Sequence, residues 1–380
     1  MSTHYFTLTA QDAWFFRDGR PYNHQESNQT DVESLFPPPA RTLTGALRAA
    51  LARANGWSGT GRWKEELNRC FGAGPDDLGL LQFTGPFLIR NAPEGKSEAL
   101  WPMPRHVLGK SERNSKLDEK DWVPVAFLVP DGRTVKTDDG ERNLPRIATE
   151  AKPDGLKPGD DMWITTEGLT KILGGAYPKE AIIPANRLWR FESRVGLKRG
   201  ETSHNVDEGD LYSPAYVRLC RNVAMGVGVN GVPKEMKQPL ELFPLGGESR
   251  LACCEKWDGD PIPVSLPRDA FVVQEGRVHF ATVLLTPGRF ENGAPNFAGA
   301  QIVSACVGKP QFMGGWDSLK REPLPLEPFA PAGSVWFCTA TREDFDGIHK
   351  MHGQHVGAHT AQGFGQILIG LWPPTLTNRL

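Results

Sequence analysis

The stretch RVHFATVLL, residues 277–285, decides the fold class. Val278, Phe280, Thr282 and Leu284 alternate with His279, Ala281, Val283 and Leu285, the period of two that marks a strand. Working outward, Ile302–Val307 and Ser334–Thr339 read as further strands. A short helix starts after Thr341, with Asp344 in its first turn, where a carboxylate suits the helix dipole. A loop holding Gly353, Gly357 and Gly363 then leads into a last strand, Gln366–Trp372. Strand, loop or helix, strand, strand, helix, strand is the order of a ferredoxin-like unit.

A looser version precedes it. Phe6, Leu8 and Ala10 alternate with Tyr5, Thr7 and Thr9, which predicts a half-buried strand over 4–10. Leu43, Ala46, Leu47, Ala50, Leu51 and Ala54 recur at helical spacing over 42–55, behind Pro39 and ahead of Gly56. Gly45 inside this helix predicts close backbone packing there, because glycine costs about 1 kcal/mol against alanine. Strands follow at 80–90, 211–219, 225–229 and 249–257. The expectation is an α+β chain of two ferredoxin-like (RRM-like) domains with glycine-rich loops, 1–260 and 261–380. The first carries a large polar insertion at about 91–180, whose alternating charges over 91–162 predict solvated short hairpins.

Composition bounds the function. Glycine (41) and proline (32) make up about a fifth of the 380 residues. Average usage is about 12 per cent, so the excess favours a turn-rich, strand-rich chain. Lys+Arg (43) against Asp+Glu (45) leaves a net charge of -2, which excludes holding nucleic acid by bulk positive charge. A basic site must be local. The densest candidate is NRLWRFESRVGLKRG, 186–200, with Arg187, Arg190, Arg194, Lys198 and Arg199 against Glu192. A solvated charged face is the alternative reading. Six sparse cysteines without CxxC fit free thiols in a reducing cytoplasm, and no apolar run approaches a membrane span.

Several motifs resolve to plain structure. Gly226-Val-Gly-Val-Asn-Gly231 matches GxGxxG, but Pro233 and Pro239 leave little room for the helix a dinucleotide site needs, so it reads as a strand with a tight turn. His349, His352, His355 and His359 are interrupted by Gly353 and Gly357, which favours solvated or RNA-facing histidines over a metal site. The acidic pairs Asp76-Asp77, Asp138-Asp139 and Asp160-Asp161 sit in turn-like stretches. No metal and no cofactor is implied. The loops at Gly246-Gly247, with Arg250 beside them, at Gly314-Gly315, with Trp316, and at Gly363-Phe-Gly365 are either turns or anion-binding concavities. Phosphates beside an aromatic or guanidinium face suit single-stranded RNA.

Taken in order, FFRDGRP (15–21), LFPP (35–38), RTLTGALR (41–48), RVGL (194–197), LGGE (245–248), GGWD (314–317) and GFG (363–365) resemble one family. It is the RAMP superfamily of CRISPR systems, and within it the third subunits of type III-B Cmr effector complexes. The resemblance implies a non-catalytic subunit that caps the 5′ handle of the CRISPR RNA. It also implies docking against the large palm-domain subunit and the backbone RAMP subunits. The resemblance further implies that target cleavage is assigned to the backbone subunit and cyclic-oligoadenylate synthesis to the palm-domain subunit. Carried over, Arg17 and Arg20 would reach handle phosphates. Arg41 and Arg48, two turns apart on one helix, would share a face, with packing or an ion pair as the alternative for Arg48. Arg187, Arg190, Arg194, Lys198 and Arg199 would line the RNA path. Gly246, Gly247, Gly363 and Gly365 would supply N–H donors, and Trp316 would stack a base or sit in the core.

Two rivals stand beside this reading. One is a metal-independent CRISPR RNA endoribonuclease using His24, beside Tyr22 and Asn23, as general base. The other is a protein–protein scaffold without RNA contact.

Overall fold

A computed structural model describes residues 3–17, 31–32, 34–91, 95–114, 119–137, 140–148, 154–178, 181–197 and 211–373. The chain forms two compact units, each drawn from three stretches. Unit 1 takes 1–95, 186–258 and 312–327; unit 2 takes 96–185, 259–311 and 328–380. The sequence reading divides the chain once, near 260, whereas the two units interleave: 96–185 belongs to unit 2 and 312–327 returns to unit 1. The pairings are mostly antiparallel and the helices few, so the fold is α+β. Among the described residues no helix is long and apolar enough to cross a membrane.

In unit 1, β1 (His4–Ala10) buries Phe6 and Leu8 as its alternation predicts. Helix α1 (Ala40–Ala54) follows, then β2 (Gln82–Asn91), β3 (Trp189–Ser193), β4 (Leu211–Leu219), β5 (Val223–Asn230) and β6 (Leu251–Trp257). The main sheet runs β2-β5-β1-β6, every neighbour antiparallel. Tyr5 on β1 is paired with Gly228 on one side and Trp257 on the other. That pairing explains the GxGxxG match. Gly226 and Gly228 lie inside β5, where a Cβ would enter the rings of Phe87 and Tyr5. The glycines make room for two aromatic rings, and the turn follows at Gly231, with φ 86°.

α1 buries Leu43, Leu47, Ala50 and Leu51 and packs against β2. Gly45 is a correction. A Cβ there meets nothing within 4 Å, because the residue faces outward.

In unit 2, β7 (Arg277–Leu284) pairs with β9 (Val335–Thr341) and β10 (Ile367–Gly370), while β8 (Ala300–Cys306) pairs with β9. The order is β10-β7-β9-β8. Helix α2 (Arg342–His349) connects β9 to β10; Thr341 caps it by accepting from the Asp344 N–H at 3.2 Å. Phe345 and Ile348 on α2 pack into the cluster of Phe271, Phe280 and Trp336.

The polar stretch is not simply solvated. It forms hairpins from Val107–Asn114, Glu119–Thr137 and Gly140–Ile147, as expected. Yet it also buries Trp101, Val107, Ala126, Phe127 and Val129. His106 is fully enclosed, stacked on Phe127, with its pKa pushed down to about 3 by burial. Trp101 Nε1 donates to the Pro261 carbonyl at 2.8 Å and Ser304 Oγ to that of Asn143 at 2.6 Å, which ties the stretch into unit 2.

Two glycine substitutions test this packing by urea denaturation. Gly45→Ala should stabilise the chain by ~0.5–1 kcal/mol, since the site is open and helical. Gly226→Ala should destabilise it by ~1–3 kcal/mol, because the Phe87 ring must move.

Candidate nucleic-acid interface

The basic segment forms one strand of a ribbon. β3 pairs with β4 so that Arg190 faces Arg218 and Glu192 faces Tyr216. Alternation puts these four on one face of the ribbon and Phe191 and Val217 on the other. Trp14 bridges to Val217 through two backbone hydrogen bonds of 2.9 and 2.7 Å. That bridge lays the segment after β1 alongside β4 and brings Asp12 to the charged face.

Three guanidinium groups meet two carboxylates there. Asp12 Oδ2 accepts from Arg194 at 2.7 Å and from Arg250 at 3.3 Å, and Oδ1 from Arg218 at 2.7 Å. Glu192 Oε2 accepts from Arg194 at 3.1 Å and Arg218 at 3.0 Å, and Oε1 from Arg218 Nε. These hydrogen bonds hold both carboxyls below the usual range and push Arg218 upward. Beneath them the Tyr216 ring carries the Arg194 guanidinium at 4.9 Å and that of Arg250 at 4.4 Å. Tyr216 is buried and rests on Phe15. Gly247 N–H donates to the Phe15 carbonyl at 2.8 Å, so the 245–250 loop fixes this base. Glu248 and Ser249 both adopt left-handed φ, 56° and 51°, in the turn that delivers Arg250.

Arg190 differs from the other arginines. It is exposed, lies opposite Arg218 and has no acidic partner among the described residues. Like charges directly opposite are unfavourable unless an anion lies between them. The face carries four arginines against two carboxylates, a local positive surplus on a chain of net charge -2. Asp12, Tyr216 and Arg218 are absent from the sequence reading. Their signal is the matched alternation of 190, 192, 194 with 216, 218, which becomes legible only once the two strands are paired.

The other candidates separate cleanly. Arg48 is corrected to a packing residue. It is 8% exposed, and its guanidinium donates to the carbonyls of Phe71, Gly72, Gly74 and Asp77 at 2.7–3.0 Å. Burial pushes its pKa down to about 10. Arg41 shares that face but is also drawn inward, to Glu327 at 2.9 Å and Asp76 at 3.6 Å. The loops at Gly246-Gly247 and Gly363-Phe-Gly365 are turns rather than open phosphate cradles, and the expected loop at Gly314-Gly315 is instead the interior of the strand Gln311–Asp317. Besides Gly247, Gly363 N–H donates to Thr360 and Gly365 N–H to Pro287. Gly246, with φ 80°, is exposed and abuts Phe15 and Phe16.

Trp316 is 59% exposed, which removes its core alternative, and it shares a strand face with Phe312, 63% exposed. Arg17 and Arg187 are exposed. Arg20, His24, Lys198 and Arg199 lie outside the described residues.

The histidines are corrected too. His349 Nε2 lies 2.7 Å from the Leu266 carbonyl, and His352 bridges the Pro263 carbonyl at 2.9 Å and the Ile369 N–H at 3.1 Å. They staple the fold rather than face solvent. No group of three or more metal-ligating side chains occurs among the described residues.

A family model described as "CRISPR-associated protein (Cas_Cmr3)" matches residues 6–372. No curated protein matches the sequence. Two solved structures of a type III-B Cmr-beta complex, one with cognate target RNA and one with that RNA and AMPPnP, contain a similar chain. Each is 15% identical, with a TM-score of 0.47 over 91% of this chain and 88–89% of theirs. A Csm3–Csm4 subcomplex of type III-A gives 10% identity and a TM-score of 0.33 over 88% of this chain and 92% of that one.

Arg48→Ala should cost at least ~2 kcal/mol in urea unfolding, since it strands buried carbonyls. No carboxyl of the network titrates near neutrality. The side-chain NMR signals of Arg194 and Arg218 should therefore stay constant between about pH 5 and 8.

Proposed function

This chain belongs to the Cas_Cmr3 family of CRISPR-associated proteins, and on that premise we propose that it is a non-catalytic, RNA-binding subunit of a type III-B Cmr effector complex. The match over residues 6–372 carries the subunit assignment. The arginine face of β3 and β4 carries the RNA contact. A single-stranded backbone follows a basic groove, and its phosphates release counterions when guanidinium groups replace them.

The segment bound is the 5′ handle of the CRISPR RNA, and the docking partners are the large palm-domain subunit and the backbone subunits. A weak local field on a chain of net charge -2 fits a subunit that holds a short RNA within an assembly, where neighbours add surface and charge. Both units are ferredoxin-like in this reading. Their pairing orders, β2-β5-β1-β6 and β10-β7-β9-β8, are equivalent when each set is numbered along the chain. Unit 1 keeps the helix of the first crossover and unit 2 that of the second.

The double substitution Arg190→Ala with Arg194→Ala tests the RNA contact. It should weaken handle binding and lower the salt slope by up to ~0.7 per lost phosphate contact. An unchanged slope would show that neither arginine meets a phosphate. The endoribonuclease rival is decided by incubating the chain with repeat RNA in EDTA. Intact RNA is expected; site-specific cutting lost in His24→Ala would overturn the non-catalytic reading.

A further inference from the structure

Asp12 and Glu192 occupy the arginines that an RNA backbone would need. Resting on the RNA-binding reading above, we infer that these two carboxylates are internal counter-anions, held where phosphates bind and displaced by them. The contacts are those of an arginine fork on an anion: both oxygens of Asp12 are engaged, by three guanidinium groups. The Asp12 side chain is 44% exposed. It is an anion at the rim, open to exchange, and not a sealed structural counterion.

The floor beneath is independent of the carboxylates. Arg194 and Arg250 lie on the buried Tyr216 ring, and that ring lies on Phe15. With their planes set from below, the guanidinium groups keep their arrangement when an anion leaves. Arg190 marks the entry. It has no carboxylate among the described residues and stands opposite Arg218, so a first phosphate can land there before any internal ion pair opens. Each later phosphate exchanges one exposed ion pair for another. Exposed pairs contribute little individually, so the exchange is nearly balanced. The free chain is thereby kept from holding RNA indiscriminately, and it engages firmly only when several phosphates arrive together in register.

The test uses the full-length chain and a fluorescein-labelled oligouridylate, with anisotropy read across a salt series. Asp12→Asn and Glu192→Gln should each tighten binding several-fold at low salt and steepen the salt slope by ~0.7, one further phosphate contact on a single strand. Affinity that is unchanged or weaker in a folded variant overturns the inference. If thermal melting shows Asp12→Asn unfolded, Glu192→Gln decides alone; unfolding of both also overturns it, because the carboxylates are then cement for the ribbon. Arg190→Ala separates the two levels. If it leaves wild-type binding and slope untouched, the arginine face does not meet RNA and both readings fall. If it weakens binding while Asp12→Asn and Glu192→Gln do nothing, only the counter-anion inference falls.

Discussion

A buried guanidinium must be answered by an anion or a carbonyl, and the chain has almost no charge to spare. With 43 basic and 45 acidic side chains, each arginine is distinguished by what answers it. Arg48 is answered by four backbone carbonyls and so organises the loop between the short helix Glu65–Phe71 and β2. Arg41 is answered by Glu327 and Asp76. Arg194, Arg218 and Arg250 are answered by Asp12 and Glu192 at the surface. Arg190 alone of this group is answered by nothing among the described residues. A gradient from sealed to exposed to open separates arginines that hold the fold from arginines free to meet a ligand.

The same economy governs the aromatic side chains. Tyr5 and Phe87 claim the space above Gly228 and Gly226, so a sequence that mimics a nucleotide loop is a strand bed for two rings. Tyr216 turns its ring to the opposite use, as a platform under two cations. Trp316 and Phe312 remain uncovered on one hairpin face. Each of these five aromatics serves according to whether glycine, arginine or solvent lies across from it.

Much of the architecture was legible because period and punctuation are local. The alternation in β1 and β7, the helical spacing of α1 and the Thr341 cap all fall where their patterns place them. The motifs along 15–365 carry the family. Less was legible where a residue has two uses of equal local cost. Gly45 and Gly226 look alike in sequence, yet one faces open space and the other a ring. The histidines of 349–359 look solvated by composition, yet two of them are drawn to carbonyls that sit more than eighty residues away.

The sequence by itself determined the α+β class, the paired strand orders' raw material, the family and the basic strip from 187 onward, since all of these rest on spacing within one segment. Only the tertiary structure decided which arginines remain available. Arg48 and Arg194 are equivalent along the chain; one lies in a cage of carbonyls and the other on a tyrosine beside a carboxylate brought from residue 12. The reason is that charge is compensated through space. Partners separated by 26, 182 and 206 positions in sequence set what each guanidinium can still bind.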